Sequence, residues 1–215
     1  TDYVHALLEH LAPAAEFIFP GPAVNAGDMA RLVGRYNAEG ADGILILLLS
    51  YAQGQYLAHA LRENCLPLAL ALVQPDESVG VDFGELELTV NQGIHGSQDC
   101  ANALLRAGIP CEFYAGPRAD GQLLTFVSDF AAAAATARDM RSMRIGGLAG
   151  MGDVVTDDMA VYRQLGPEFV YDSIGAVQSR CAAVRREDID ERLAYEREVF
   201  DVDPAMPPER HAEAV

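Results

Sequence analysis

Residues 42–49 read DGILILLL, and the polar stretch SYAQGQ follows them at once at 50–55. From 44 to 49 the run is apolar at every position, with no alternation of polar and apolar side chains. A short run of this kind, bounded by turn residues, predicts a strand buried on both faces. Such strands are typical of parallel sheets that helices cover on both sides. Residues 66–73, LPLALALV, predict a second strand of the same kind.

Helix and strand patterns alternate on both sides of these two runs. The predicted helices lie at 2–11, 25–39, 55–63, 97–107 and 123–140, and the further predicted strands at 16–19, 85–90 and 110–115. Strands that alternate with helices predict an α/β fold with right-handed crossovers. We therefore expect a flavodoxin/Rossmann-like parallel sheet sandwiched by helices, which occupies residues 1–140.

The pattern starts again near Arg141. The predicted elements there are a strand at 143–148, a glycine-rich turn at 150–153, a helix at 156–165, a strand at 168–171 and helices across 174–200. Two strands are too few for an independent sheet. Residues 141–215 are therefore expected to form the start of a second, incomplete α/β domain. Since no strand precedes the first helix and a helix begins near Pro208, we expect the native chain to extend beyond both ends.

The charge of the chain argues against several classes of function. Fifteen basic residues, all of them arginine, stand against 32 acidic ones and give a net charge of −17. A surface this acidic repels phosphate backbones and anionic lipids, so no nucleic-acid partner and no membrane partner are expected. The absence of lysine excludes Schiff-base chemistry and a phosphate-loop lysine within this stretch.

The cysteines and the hydropathy pattern predict a cytoplasmic location. Cys65, Cys100, Cys111 and Cys181 form no CxxC pair, and we interpret them as reduced structural thiols. No charged-then-apolar leader opens the chain. The longest strongly apolar run, at 44–49, is too short to span a bilayer.

Ligands of parallel α/β sheets bind beyond the carboxyl ends of the strands, which selects the loops at 50–55, 74–77 and 91–99. The third loop is the richest in functional groups, with the amides of Asn91 and Gln92 and the imidazole of His95. The glycines at 93 and 96 let the backbone approach a ligand, and Ser97 stands near the start of the next helix. The alternative is ordinary turn and cap chemistry, with His95 as a structural hydrogen-bonding residue.

Three other features have simpler explanations than chemistry. The glycine-rich turn at 146–153 lacks the spacing of a dinucleotide fingerprint. We interpret Asp153, Asp157 and Asp158 as residues that cap a helix start, with a metal site as the alternative. The mixed charges at 185–198 predict a solvated helix face with i,i+4 pairs. No spacing of histidines and cysteines indicates a zinc site.

Three stretches of the chain together resemble the L-fucose/L-arabinose isomerase family. The first, at 89–116, reads TVNQGIHGSQDCANALLRAGIPCEFYAG and contains the Asn-Gln-x-x-His-Gly element of that family. The others are GADGILILLLSYAQGQYLAHAL at 40–61 and GMGDVVTDDMAVYRQLGPEFVYDSIGAV at 150–177. The resemblance runs over about residues 39–200 and rests on the order and spacing of the three stretches.

The resemblance implies an activity, and it implies that different parts of the protein bind the metal and the substrate. Family members are manganese-dependent aldose–ketose isomerases, a class of intramolecular oxidoreductases, built as oligomers of subunits with three α/β domains. It implies that Mn²⁺ is bound by residues outside this stretch, because none of its positions matches the metal ligands of the later domains. It also implies that this domain completes the sugar site of a neighbouring subunit of a homo-oligomer. Gln92 and His95 would reach the substrate hydroxyls, with Asn91, Ser50 and Tyr51 beside them.

The leading hypothesis is therefore a portion of a metal-dependent sugar isomerase that moves a proton between C1 and C2 through an enediol. Its catalytic residues are not identified within this stretch, and the stretch alone is not expected to be active. The alternative is a non-catalytic cytosolic module for sugar binding or regulation. A nucleotide-binding signalling domain is a third hypothesis, which the absence of lysine disfavours.

Overall fold

The computed structural model describes residues 2–73, 75–76, 78, 80–118, 121–146 and 157–214. The protein is a mixed α/β protein in which short parallel strands form two sheets. It divides into two compact units, Thr1–Asp139 and Met140–Val215, whereas the sequence placed the boundary one residue later.

The first unit contains six helices and three strands in its described part. In chain order they are α1 (Asp2–Leu11), α2 (Ala26–Glu39), β1 (Ile44–Leu47), α3 (Gly54–Ala60), β2 (Leu68–Leu72), α4 (Glu85–Val90), α5 (Gly93–Ala107), β3 (Glu112–Ala115) and α6 (Gln122–Asp139). The strands form a parallel sheet in the order β1-β2-β3, with Ile44 opposite Leu68 and Leu70 opposite Phe113.

Successive residues of the central strand enter two different apolar clusters. Leu68 and Leu70 pack with residues of α2, α3 and α5, whereas Ala71 and the following Val73 pack with residues of α1 and α6. A strand places consecutive side chains on opposite faces, so the two clusters lie on the two faces of the sheet. This confirms the prediction of a parallel sheet between two layers of helices.

Local sequence signals set the ends of the long helices. Asn25 precedes α2, and its side-chain oxygen accepts a hydrogen bond from the backbone N–H of Asp28 at 2.9 Å. Gly40 ends the same helix in the left-handed conformation, with φ 73°. Gly108 ends α5 in the same way. A polar cap at the start and a glycine at the end are the usual boundaries of a helix in a globular protein.

The predicted strand at 85–90 is wrong, because these residues form α4. The carboxylate of Glu87 accepts a hydrogen bond from the backbone N–H of Gly84 at 2.8 Å, which stabilises the first turn. The alternating apolar residues that suggested a strand, Leu86, Leu88 and Val90, are all exposed.

The predicted strand at 16–19 is also wrong, since these residues have no regular secondary structure. Phe17 packs against the apolar cluster of α1 and α6, while Ile18 and Phe19 are exposed. Pro20 and Pro22 follow immediately. Proline has no N–H to donate to a neighbouring strand, so the segment cannot continue as a ladder.

The second unit contains two strands and four helices in its described part. They are β4 (Arg141–Ile145), α7 (Asp158–Leu165), β5 (Glu168–Asp172), α8 (Ile174–Ala183), α9 (Arg186–Val199) and α10 (Pro208–Ala214). The strands β4 and β5 pair in parallel. The glycine-rich turn lies outside the described residues beyond Gly146, and so does Asp153.

The charged residues of this unit have structural roles. Asp157 caps α7, because its side chain accepts a hydrogen bond from the backbone N–H of Met159. Asp158 bonds to Arg144 and Tyr171 of the two strands. Along α9 the ion pairs Arg185–Asp188, Arg186–Asp190 and Arg192–Glu196 confirm the predicted charged helix face.

In the described ranges, no helix combines the length and the hydropathy needed to cross a bilayer.

One exposed glycine in α2 offers a direct test of the helix assignment. Gly34 lies inside the helix, and a methyl group added there would contact nothing within 4 Å. We expect Gly34→Ala to raise the free energy of unfolding by about 0.5–1 kcal/mol, because alanine loses less backbone entropy in a helix. Urea denaturation measures the change. The matched control is Gly40→Ala, where φ is 73° and we expect a loss of about 1 kcal/mol.

Candidate functional site

A cavity of about 230 Å³ opens beyond the carboxyl ends of β1 and β2. Its position follows the rule that ligands of parallel sheets bind at this edge. Most of the wall is apolar. The lining residues are Tyr3, Val4, Leu48, Leu49, Val73, Pro75, Val90 and Gly93.

Tyr3 contributes a hydroxyl to this cavity. The hydroxyl donates a hydrogen bond to the backbone carbonyl of Val73 at 3.3 Å. Burial raises the pKa of Tyr3, and the guanidinium of Arg118, 5.4 Å from the centre of the ring, acts in the opposite direction. The phenol therefore stays protonated near neutral pH, and its oxygen retains a lone pair that can accept from a bound hydroxyl.

Helix α5 packs unusually close to the segment that follows β1. A methyl group added at Gly93 would overlap the carbonyl oxygen of Leu48. One added at Gly96 would lie 2.8 Å from the carbonyl oxygen of Ser50 and 3.3 Å from the Cα of Tyr51. The distances from the added methyl groups to the carbonyl oxygens of Leu48 and Ser50 are too short for a real side chain, so glycine permits this approach.

The close packing sets the backbone of the loop that carries Ser50 and Tyr51 against the first turn of α5, which carries His95 and directly follows Gln92. Ser50 and Tyr51 are exposed on the loop after β1. Gln92 is half-buried at the N-cap position of α5, where its side chain makes no capping hydrogen bond, and His95 is exposed in the first turn. We refer to Ser50, Tyr51, Gln92 and His95 as the edge cluster. It presents an amide, an imidazole and two hydroxyls at the carboxyl edge of the sheet.

The loop predicted at 91–96 is shorter than expected. Because 85–90 is helical, only Asn91 and Gln92 connect α4 to α5, and the second helix begins at Gly93 instead of 97. His95 therefore stands on a helix. Ser97, predicted near the cap, is buried one turn inside α5, and its Oγ has no hydrogen-bond partner in the part of the chain that the structure describes.

Asn91 has a structural role in place of the predicted substrate contact. Only 1% of its surface is exposed. Its amide nitrogen donates to the carboxylate of Asp76 at 2.8 Å and to the carbonyl of Glu87 at 2.7 Å. Its amide oxygen accepts from the backbone N–H of Asp76 at 3.2 Å. Because both ends of the amide are engaged within the protein, the side chain joins α4 to the loop after β2.

Substitution separates this structural amide from the neighbouring one. We expect Asn91→Ala to lower the free energy of unfolding by about 2 kcal/mol, because three hydrogen bonds are lost and Asp76 is left without its partner. Gln92→Ala is the matched control, with an expected change within about 0.5 kcal/mol. Urea denaturation of both variants measures the difference, and equal losses would contradict the assignment.

Asp99, which has no role in the sequence-based prediction of the site, bonds to the loop after β1. Its Oδ2 accepts hydrogen bonds from the hydroxyl of Tyr51 at 3.2 Å and from the backbone N–H of Gly54 at 3.0 Å. The hydrogen bond to Asp99 raises the pKa of Tyr51. A signal existed in the sequence, because residues four apart on a helix share a face and Asp99 is four residues after His95.

Across the described ranges, no group of three or more histidine, cysteine, aspartate or glutamate side chains could hold a metal ion. The chemistry offered by the edge cluster is hydrogen bonding to a polar ligand.

Comparison with known proteins does not assign this chain to a family. No protein family matches this chain, and neither does any curated protein. The resemblance to the L-fucose/L-arabinose isomerase family stays a prediction from the three stretches quoted above.

Proposed function

We propose that this chain forms the sugar-binding part of a metal-dependent aldose–ketose isomerase of the L-fucose/L-arabinose type. The observation that carries the proposal is the close approach of two segments at the carboxyl edge of a parallel sheet, the loop with Ser50 and Tyr51 and the start of α5 with Gln92 and His95. The two segments are distant in sequence, and the glycines of α5 allow their backbones to meet.

The side chains of the edge cluster suit the hydroxyl groups of an open-chain sugar. An amide both donates and accepts, a neutral imidazole donates at one nitrogen and accepts at the other, and a hydroxyl does both. Isomerisation moves a proton between C1 and C2. In this proposal the chain binds and orients the remaining hydroxyls, and the proton-transfer and metal-binding groups come from residues outside the described part.

The proposal includes a homo-oligomer in which this edge faces a neighbouring subunit. Leu49 and Tyr51 support it, since 41% and 52% of their surfaces are exposed beside the cavity. Exposed apolar groups around a polar site are typical of surfaces that contact another chain. We also propose a cytoplasmic location, which the four unpaired cysteines support.

The test is an activity screen of the native gene product. The purified protein is stripped of metal, supplied with Mn²⁺ or left without it, and incubated with a panel of aldoses while ketose formation is measured. Manganese-dependent ketose formation supports the proposal. Sugar binding in calorimetry with no turnover under either condition would favour the non-catalytic sugar-binding module instead. Binding of nucleotides but of no sugar would overturn both.

A further inference from the structure

One carboxylate fixes the loop that carries half of the edge cluster. Asp99 lies in the second turn of α5, and its Oδ2 accepts from both the Tyr51 hydroxyl and the Gly54 N–H. The backbone of the two segments is equally close, because a methyl group at Gly54 would overlap the carbonyl oxygen of Asp99. The same residue of α5 therefore holds the loop between β1 and α3 at Tyr51 and also holds Gly54, where α3 begins.

We infer that Asp99 is a positioning residue, which acts on a bound ligand through Tyr51. A phenol has a single hydrogen to donate, and here it points to the carboxylate. The lone pair of the Tyr51 oxygen that faces solvent is then available only to accept. Tyr51 thus receives a hydrogen bond from a ligand hydroxyl, and Asp99 sets both the orientation of the ring and the direction of that hydrogen bond. The inference rests on the function proposed above.

The geometry separates this role from a general role in folding. Tyr51 is exposed, with 52% of its surface accessible, so its hydroxyl is not needed to fill the core. The Gly54 N–H is a second donor to the same oxygen, so the loop keeps one of its two hydrogen bonds when Tyr51 is replaced by phenylalanine. The variant Tyr51→Phe therefore keeps the fold and removes only the directed acceptor.

A double-mutant cycle in the native gene product tests the inference. KM and kcat are measured separately for the aldose that is turned over, in Asp99→Asn, Tyr51→Phe and the double variant. We expect each single variant to raise KM about five- to tenfold with little change in kcat, since a neutral hydrogen bond to substrate is lost or misdirected. The double variant is expected to match Tyr51→Phe, because an asparagine oxygen at this position can still accept from the Gly54 N–H and the effect of Asp99→Asn on a ligand passes through Tyr51. Asp129→Asn, which neutralises an exposed carboxylate on α6, is the matched control and leaves KM unchanged.

A second measurement does not depend on activity. The ultraviolet absorbance of the tyrosines is titrated with and without the Tyr51→Phe substitution, and the difference isolates the phenol of Tyr51. We expect its pKa to fall to the ordinary range of tyrosine in Asp99→Asn. Unchanged titration, or KM effects that multiply in the double variant, would overturn the inference. If the wild-type protein binds no aldose, the proposed function fails, and the titration alone supports or overturns the interaction between Asp99 and Tyr51.

Discussion

Replacing Gly93 by alanine is expected to lower the free energy of unfolding by about 3 kcal/mol. The added methyl group would overlap the carbonyl oxygen of Leu48, which belongs to the backbone and cannot rotate away. Helix α5 must then move off the sheet, and its buried side chains Cys100 and Leu104 lose contacts with it. The same movement separates Gln92 and His95 from the loop after β1, so the sugar binding of the proposed function is expected to weaken as well.

Urea denaturation of Gly93→Ala and Gly34→Ala, measured in parallel, separates the effect of the overlap with Leu48 from the effect of adding a methyl group to a helix. Both substitutions add one methyl group to a helical glycine, and only the first meets another atom. Opposite signs of the two changes are therefore expected, with Gly34→Ala stabilising. A Gly93→Ala protein as stable as the wild type would show that α5 has room to accept a side chain at this position, and the close approach described here would be wrong.

Substitution of His95 by alanine is expected to reduce kcat/KM for the aldose by about 10- to 100-fold. The imidazole is exposed in the first turn of α5, and the next residue, Gly96, packs against the backbone of Ser50 and Tyr51. In the proposed function, removal of the imidazole also removes a hydrogen bond to a sugar hydroxyl. Since His95 has no place in the core, the free energy of unfolding is expected to change by less than about 0.5 kcal/mol.

The matched control for His95 is His59→Ala, which removes an exposed imidazole from α3. Steady-state kinetics with Mn²⁺ and urea denaturation are measured for both variants. We expect the His59 variant to behave as the wild type in both measurements. Unchanged kinetics of His95→Ala on every active sugar would remove this residue from the substrate site.

The fold was predictable where burial on two faces leaves a continuous apolar run. Strands β1 and β2 follow from such runs, and the helices that cover them follow from apolar spacing. Helix α4 was missed because six residues with alternating hydropathy do not distinguish a strand from an exposed helical turn. The hydrogen bond from the Gly84 N–H to the Glu87 carboxylate stabilises the helical conformation there, and the hydropathy pattern carries no information about this bond.

The site was predictable in position and less so in its residue roles. The rule of the carboxyl edge located the loops, and the structure packs the loop after β1 against the start of α5 there. The roles of Asn91 and Asp99 depend on partners far along the chain, Asp76 and Tyr51 respectively. No sequence motif marks either partner. An amide or a carboxylate that bonds within the protein has the same chemistry as one that binds a ligand, so residue type alone does not distinguish the two roles.

The close contact between α5 and the loop after β1 also bears on how this site can evolve. The atoms that hold the two segments together are backbone atoms and the missing side chains of glycines, whereas the groups that would touch a ligand are exposed. Exchange of an exposed side chain costs little stability, and such changes are the ones that alter ligand preference. Descendants of this protein can therefore acquire new specificities by one exposed residue at a time, while Gly93 and Gly96 stay constrained by the backbone that they pack against.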